Sequence, residues 1–193
     1  ESIMSKAIIK PGIVLLIITV IAAGLLGAVN VATKDAIAEQ EKAATENSMK
    51  KLLVSADSFG EASKVEDDNY KDIKEYTEGV DANGNTVGYT FSVSTKGFST
   101  GLNLMIGIDT DGVITGIDVL SHGETPGLGA NADTDEFKEQ FAGKSGEIGV
   151  SKGNAGENEI QAITGATITS RAVTNAVNNV SDYYQKVIKG GNN

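Results

Sequence analysis

Between Lys10 and Lys34 the chain runs for 23 residues, Pro11 to Thr33, without a charge, and Ile13 to Val29 is the densest apolar part. As a helix, at roughly 1.5 Å per residue, this run is about 35 Å long, enough to cross a bilayer with some tilt. A cleaved signal peptide is the alternative. Against it, the run exceeds a signal h-region, and Ala32 leads into charged helix formers. Gly24 and Gly27 are tolerated in a membrane helix and mark a face that can pack on another helix.

Charge sets the expected orientation. Lys6 and Lys10 precede the apolar run with only Glu1 to offset them, whereas residues 34–193 carry 14 basic and 25 acidic side chains, a net of −11. The positive-inside rule then keeps residues 1–10 in the cytoplasm, spans the membrane with 11–33, and places everything after it outside. The acidic balance, −10 for the whole chain, also argues against a nucleic-acid partner. There are no cysteines and one histidine, which excludes disulfides, thiolate zinc sites, iron–sulfur ligation, a cysteine nucleophile and a histidine metal cluster.

After the apolar run, Asp35 to about Ser55 has neither Gly nor Pro and should continue as a juxtamembrane helix within 34–56, docking through Met49, Leu52 and Leu53. Residues 57–193 then form the outer domain. Asp57 to Asp72 is charged and irregular, with Val65 and Tyr70 as its inward positions. From Ile73 the rhythm becomes that of strands. Tyr89, Phe91 and Val93 alternate with polar residues after an Asp81–Asn85 turn built on Asn83-Gly84. Leu102, Leu104, Ile106 and Ile108 form the next strand. A turn at Asp109–Gly112 leads into Val113, Thr115, Ile117 and Val119. Successive hairpins predict an antiparallel sheet with one buried face. The short helix Thr134–Phe141, capped by Asp133 or Thr134, turns Phe137 and Phe141 inward. Gly143 to Glu159 reads as a Gly-rich polar approach that includes Lys152. Ser170 to Lys189 carries an apolar stripe at helical spacing (Ala172, Val173, Ala176, Val177, Val180, Tyr183 or Tyr184, Val187, Ile188) and must pack on the sheet. The expected class is α+β: a single N-terminal transmembrane helix, then an antiparallel-sheet domain with packed helices.

Two stretches break these periods. His122-Gly123-Glu124-Thr125-Pro126-Gly127-Leu128-Gly129 follows a core strand directly, where sites are often carried; a plain irregular turn with His122 hydrogen-bonded at the surface is the alternative. Thr164-Gly165-Ala166-Thr167, followed by Ile168-Thr169-Ser170, joins a short apolar run to the last helix. Its hydroxyls and N–H groups at a helix start suit a phosphate, or simply cap the helix.

Together, in this order and behind a membrane helix, these stretches resemble the FMN-binding domain family, with its S/T-G-A-T flavinylation motif and its H-x-E-T-P-G-L-G motif, over nearly the whole chain. Within that family the chain is similar to the G subunits of Rnf-type ion-translocating complexes, and shares its motifs with the C subunits of sodium-pumping NADH:quinone reductases. The resemblance implies FMN joined by a phosphoester to the Thr167 hydroxyl, installed from FAD by a flavin transferase. It implies further that the chain carries electrons, between ferredoxin and NAD in the Rnf type, among the other membrane and peripheral subunits of one redox complex in the cell membrane. A phosphate on the Thr167 hydroxyl would lie among Thr164, Gly165, Ala166 and Thr169, and Lys152, close in sequence, would supply a further cation. Glu124, Thr125, Gly127, Leu128, Gly129 and His122 come to the isoalloxazine ring. The acidic residue that such motifs often carry three positions before the first threonine is here Gln161. No residue is expected to act as acid or base in turnover. A membrane-anchored binding or scaffold module without redox function is the competing reading.

Overall fold

The computed structural model describes residues 2–192, with side chains from 9 to 191; Glu1, in the expected tail, and the terminal Asn193 lie outside the described residues. One helix, α1 (Ser2–Leu52), runs through Pro11 without a break at either edge of the apolar run. The chain divides into two compact units, Glu1–Ala43 and Ala44–Asn193. In the first, the apolar side chains stand outward on every side: Leu15, Leu16, Leu25 and Leu26 are each more than 60% exposed (62, 62, 64 and 71%). A helix that is apolar all round and buried against nothing is built for lipid, and this one is long and apolar enough to cross a membrane.

The second unit is built on an antiparallel sheet. Its strands are β1 (Ser58–Phe59), β2 (Ser63–Lys64), β3 (Ile73–Val80), β4 (Thr86–Thr95), β5 (Leu102–Asp109) and β6 (Ile114–Ser121). They lie in the order β1-β3-β4-β5-β6, with β2 also paired to β3. The turn before β4 forms because Gly84 takes a positive φ of 82° and the Asp81 carboxylate accepts from the Asn83 and Asn85 N–H groups, both at 2.8 Å. One face holds Phe91, Val93, Leu104, Ile106, Ile108 and Ile117, all fully or almost fully buried. Against it packs α3 (Thr167–Tyr183) through Val173, Ala176, Val177 and Val180, together with Phe137 and Phe141, whose rings meet edge-on at 5.5 Å. These two rings come from α2 (Asp135–Lys138) and the 3-10 turn Glu139–Phe141 after it.

The structure departs from the sequence expectations at several points. The inward residue that opens β6 is Ile114, not Val113. A register shift sets Ile108 opposite Ile114 but Gly107 opposite Gly116, so Thr115 is the extra residue and Ile114 and Ile117 share a face. The approach Gly143–Glu159 conceals two short strands, β7 (Gly149–Ser151) and β8 (Glu159–Gln161), paired in parallel. The last helix begins at Thr167, three residues before the expected Ser170. Beyond Tyr183 it widens into a π turn, Tyr184–Lys189, which leaves Val187 41% exposed and outside the expected stripe.

The sheet also has two covered faces rather than one. Gly79 pairs with Gly88, and Gly107 with Gly116, on the side away from α3. The last turn of α1 lies in this glycine-lined depression, leaving Leu52 and Leu53 only 6% and 2% exposed. A Cβ added at Gly88 would come 2.9 Å from Leu53 Cδ2, and one at Gly107 the same distance from Leu52 Cβ. The expected docking of Leu52 and Leu53 is therefore present, and the glycines are what make room for it. Gly107→Val should overpack this contact and cost about 1–3 kcal/mol, read as a lower urea midpoint with an unchanged slope.

Candidate functional site

The turn from β8 into α3 is held from within. Gly165 takes a φ of +77°, a backbone conformation that disfavours a side chain. Ser170, fully buried, donates through its hydroxyl to the Ala166 carbonyl at 3.1 Å and accepts from the Ile163 N–H at 3.0 Å. Ser170 is thus the residue that closes the turn, rather than Thr164 or Thr169. The N-cap position falls on Ala166, which has no side-chain acceptor to offer. The first N–H groups of a 17-residue helix are left without a side-chain cap, with the half-buried Thr167 among them. Such an end carries partial positive charge and favours an anion.

The other motif lies against this turn. In the Pro126–Gly129 bend, Gly127 takes a φ of +76° and the Thr125 carbonyl accepts from the Leu128 and Ala130 N–H groups at 3.1 and 3.2 Å. Leu128, 43% exposed, lies over Gly165: a Cβ there would sit 3.0 Å from Leu128 Cδ2. Glu124 is the connecting residue. It is 6% exposed; one carboxylate oxygen accepts from the Thr169 hydroxyl at 2.7 Å, and the other from the Ser99 N–H at 2.9 Å. Charge-assisted bonds of this kind satisfy a buried carboxylate and fix its neighbours. Gly129 and Gly97 flank it so closely that a Cβ on either would overlap the carboxylate. His122 accepts the Glu124 N–H at its Nδ1, 3.3 Å away, and so supports the backbone of the loop.

The family resemblance directs Glu124 and His122 towards a ligand; the structure gives both internal partners. Nothing in the sequence singles out the loop after β4. Gly97 and Ser99 are unremarkable in a polar stretch, and only the apolar Phe98 within it marks the place. Lys152 is exposed in the bend after β7, with no hydrogen bond or ion pair to the 164–170 turn among the described residues. Gln161 is exposed on β8, where its N–H is bound by the Gln140 side chain at 2.6 Å. A concavity of about 570 Å³ lies elsewhere, lined by Asp111, Ser145, Glu147, Asn178 and Asp182, and includes neither motif.

This arrangement suits an anion at the start of α3 with an apolar group lying beside Leu128. Residues 97–182 match the FMN-binding domain model, and residues 4–52 match the model of the RnfG N-terminal region. The G subunit of the Na(+)-translocating ferredoxin:NAD(+) oxidoreductase complex of Acetobacterium woodii is 37% identical over 95% of both chains. The G subunit of the ion-translocating oxidoreductase complex of Methanosarcina acetivorans is 36% identical over 93% of this chain and 95% of its own. The chain belongs to the G-subunit family of ion-translocating oxidoreductase complexes. The family match at the N-terminus covers all but the first two residues of α1. The fold itself is shared with the C subunits: the crystal structure of NqrC from Shewanella oneidensis superposes with a TM-score of 0.51, at 25% identity and 65% coverage of each chain. Membership of membrane complexes, together with the lipid-suited helix, makes this a membrane-anchored protein. The match to the flavin domain opens at Gly97, the loop that Glu124 pins.

Proposed function

We propose that this chain is the electron-carrying subunit of a membrane-bound, ion-translocating redox complex, and that FMN is attached to it through a phosphoester on Thr167. The observation that carries the reading is the meeting of the two motifs: Leu128 over Gly165 and Glu124 on Thr169, beside a helix start whose N-cap has no acceptor. In attachment, the Thr167 oxygen forms a bond to phosphorus and the phosphoanhydride of FAD breaks, releasing AMP. The hydroxyl proton leaves to a base on the transferase that catalyses the step. Thereafter the uncapped N–H groups stabilise the phosphate charge. Gly165 and Ala166 leave it room, Thr125 offers a hydrogen bond, and Gly127 and Gly129 shape the loop that presents Leu128 to the ring. Glu124 and His122 hold this framework in place. The bound flavin supplies the one-electron redox chemistry, and the protein supplies position and electrostatics.

Denaturing gels of protein made in a host that possesses the transferase test the attachment. The band should fluoresce as flavin, and a dark band would overturn it. Electron transfer between ferredoxin and NAD is named for the Acetobacterium woodii complex and for a proton-translocating complex of Clostridium ljungdahlii, whose G subunit is 33% identical over 79% of this chain. We assign the same overall reaction to the complex that contains this chain, and other subunits of that complex as its partners.

The flavin domain lies outside the cytoplasm in this reading, supported by Lys6 and Lys10 before the apolar run and the net −11 after it. Protease added to intact spheroplasts should remove a tag placed at the C-terminus. Protection of that tag, with digestion only after lysis, would reverse the orientation.

A further inference from the structure

The concavity that includes neither motif lies between two loops, each fastened to the far end of α3. One is the Asp109–Gly112 turn between β5 and β6. The Tyr184 hydroxyl donates to the Thr110 carbonyl in it at 2.8 Å, and the Gln185 side chain lies over Gly112, whose φ is +89°. The other is the bend at Ser145–Glu147. The Asn178 side chain holds its end, accepting the Ile148 N–H at 2.9 Å and donating to the Ile148 carbonyl at 3.0 Å. These loops, the last turns of α3 and the start of the π turn enclose about 570 Å³.

The lining is carboxylates, carboxamides, serines and glycines, without an apolar side chain. Asp182 is shared by Lys186 at 2.9 Å and the Tyr70 hydroxyl at 2.7 Å. Asp111 and Glu147 are exposed and make no ion pair among the described residues. Lys144, beside the bend, gives its ammonium to the Glu157 carbonyl at 2.6 Å instead. Acidic side chains at a surface are by themselves merely solvated. Ser181 sets this cluster apart. It lines the concavity, is 6% exposed, and its hydroxyl has no hydrogen-bond partner. Buried hydroxyls are normally bonded, in a helix commonly to the carbonyl one turn back. Thr174 does this on the same helix, donating to the Ser170 carbonyl at 2.9 Å.

We propose that this concavity is a docking site for an arginine side chain of another subunit of the complex. A guanidinium offers five N–H donors in a plane and no acceptor. The walls offer the complement: the carboxylates of Asp111 and Glu147, the carboxamide oxygens of Asn179 and Gln185, and the unpartnered Ser181 oxygen. The carboxylates do not gather into a metal site among the described residues, so the cation they suit is larger than an ion. A free small molecule gains little in a cleft without apolar lining. An arginine carried by a neighbouring subunit is held by the rest of that chain and needs no such burial. Ser181 lies about 20 Å along α3 from Thr167, at roughly 1.5 Å per residue. A subunit seated here holds the domain by the end of α3 opposite the one that carries the 164–170 turn. The inference rests on membership of a multisubunit complex and is independent of the Thr167 attachment.

The test uses the intact complex, purified in detergent through a tag on another subunit. With the photocross-linking residue p-benzoyl-phenylalanine in place of Ser145, at the exposed rim, irradiation should join this chain to another subunit. The joined peptide should contain an arginine. Asp111→Asn with Glu147→Gln removes both unpaired charges and keeps the shape of the walls. This double variant should leave the complex at a several-fold lower salt concentration than wild type, and Ser181→Ala should shift in the same direction by less. Glu136→Gln with Glu157→Gln, exposed carboxylates outside the concavity, removes the same net charge and should behave as wild type. A joined peptide without arginine overturns the inference, as does a double variant retained to the same salt concentration as wild type. No joined product, with free spermidine shifting the Ser181 and Glu147 amide resonances of the isotope-labelled chain, would assign the space to a small polyamine and overturn the docking. Flavin fluorescence of the denatured band, read in the same samples, reports the Thr167 attachment separately.

Discussion

Thr167→Ala should yield a folded protein that carries no flavin through a denaturing gel, whereas Thr167→Ser should retain the fluorescent band at least in part. The difference between the two is one oxygen. Alanine removes the atom that bonds to phosphorus, and serine keeps it at the same place on the same backbone. Thr167 is half-buried and its hydroxyl is not among the groups that close the turn, so the alanine variant should lose no more than about 1 kcal/mol of stability. The neighbouring threonines supply the control. Thr164 is exposed, and Thr164→Ala should keep the band. Thr169 is 1% exposed and gives its hydroxyl to Glu124, so Thr169→Val leaves a buried carboxylate oxygen short of a donor. That variant should be destabilised by about 1–3 kcal/mol while its flavin stays attached. The stability loss and the flavin loss thus fall on different residues. A fluorescent band from Thr167→Ala beside a dark one from Thr164→Ala would move the attachment atom by three residues.

How far the sequence carries follows from which interactions are local. The strands β4 and β5 are legible because Tyr89, Phe91, Val93 and Leu102, Leu104, Ile106, Ile108 alternate without interruption. The opening of β6 is misread by one position because the bulge at Thr115 adds a residue that no alternation announces. β7 and β8 are three residues each, too short to show a period, and their parallel pairing is non-local. The second covered face is hidden for another reason. Gly79, Gly88, Gly107 and Gly116 look like weak points in strands, and nothing in their own neighbourhood announces that Leu52 and Leu53 come to lie against them. At the site, both motifs are visible as residues in order, but their division of labour is not. Thr164, Thr167, Thr169 and Ser170 are four hydroxyls in seven residues, and nothing in their spacing says that Ser170 closes the turn and Thr169 serves Glu124. Ser99 contributes a backbone N–H, which no side-chain pattern can reveal.

The same blindness hides Lys138, whose loss should produce a large fall in stability. Its side chain is 10% exposed, and its ammonium lies 2.9 Å from Asp133, 3.2 Å from Asp118 and 3.7 Å from Asp135. Asp118 in turn accepts the Ser48 hydroxyl at 2.6 Å and meets Lys51 at 3.4 Å, both from the last turns of α1. One node therefore ties the end of α1 to β6, to α2, and to the 3-10 turn Gly129–Asp133 that begins at the last glycine of the His122–Gly129 loop. Lys138→Met keeps the apolar stem and removes the charge. Breaking a buried pair from one side costs about 3–5 kcal/mol, and the exposure of Asp133 and Asp135 reduces the expectation here to about 2–3 kcal/mol. Burial pushes the Asp118 carboxyl up, but the Ser48 hydroxyl and the Lys138 and Lys51 ammonium groups outweigh it and hold it below the usual carboxylate range. Burial pushes Lys138 down, but the bonds to Asp133 and Asp118 outweigh it and raise it. A depressed carboxyl stabilises the fold above its unfolded pKa of about 3.9 and loses that contribution as the pH falls through its lower folded value. A raised ammonium stabilises below its unfolded value of about 10.4 and loses that contribution as the pH rises through its higher folded one. Urea unfolding of wild type and Lys138→Met should therefore differ by a constant amount from about pH 5 to about pH 9 and converge below about pH 4, as Asp118 takes up its proton. If the gap at pH 3 equals the gap at pH 7, packing of the methylene stem rather than charge holds the node. In that case the link between the end of α1 and the His122–Gly129 loop would not be electrostatic.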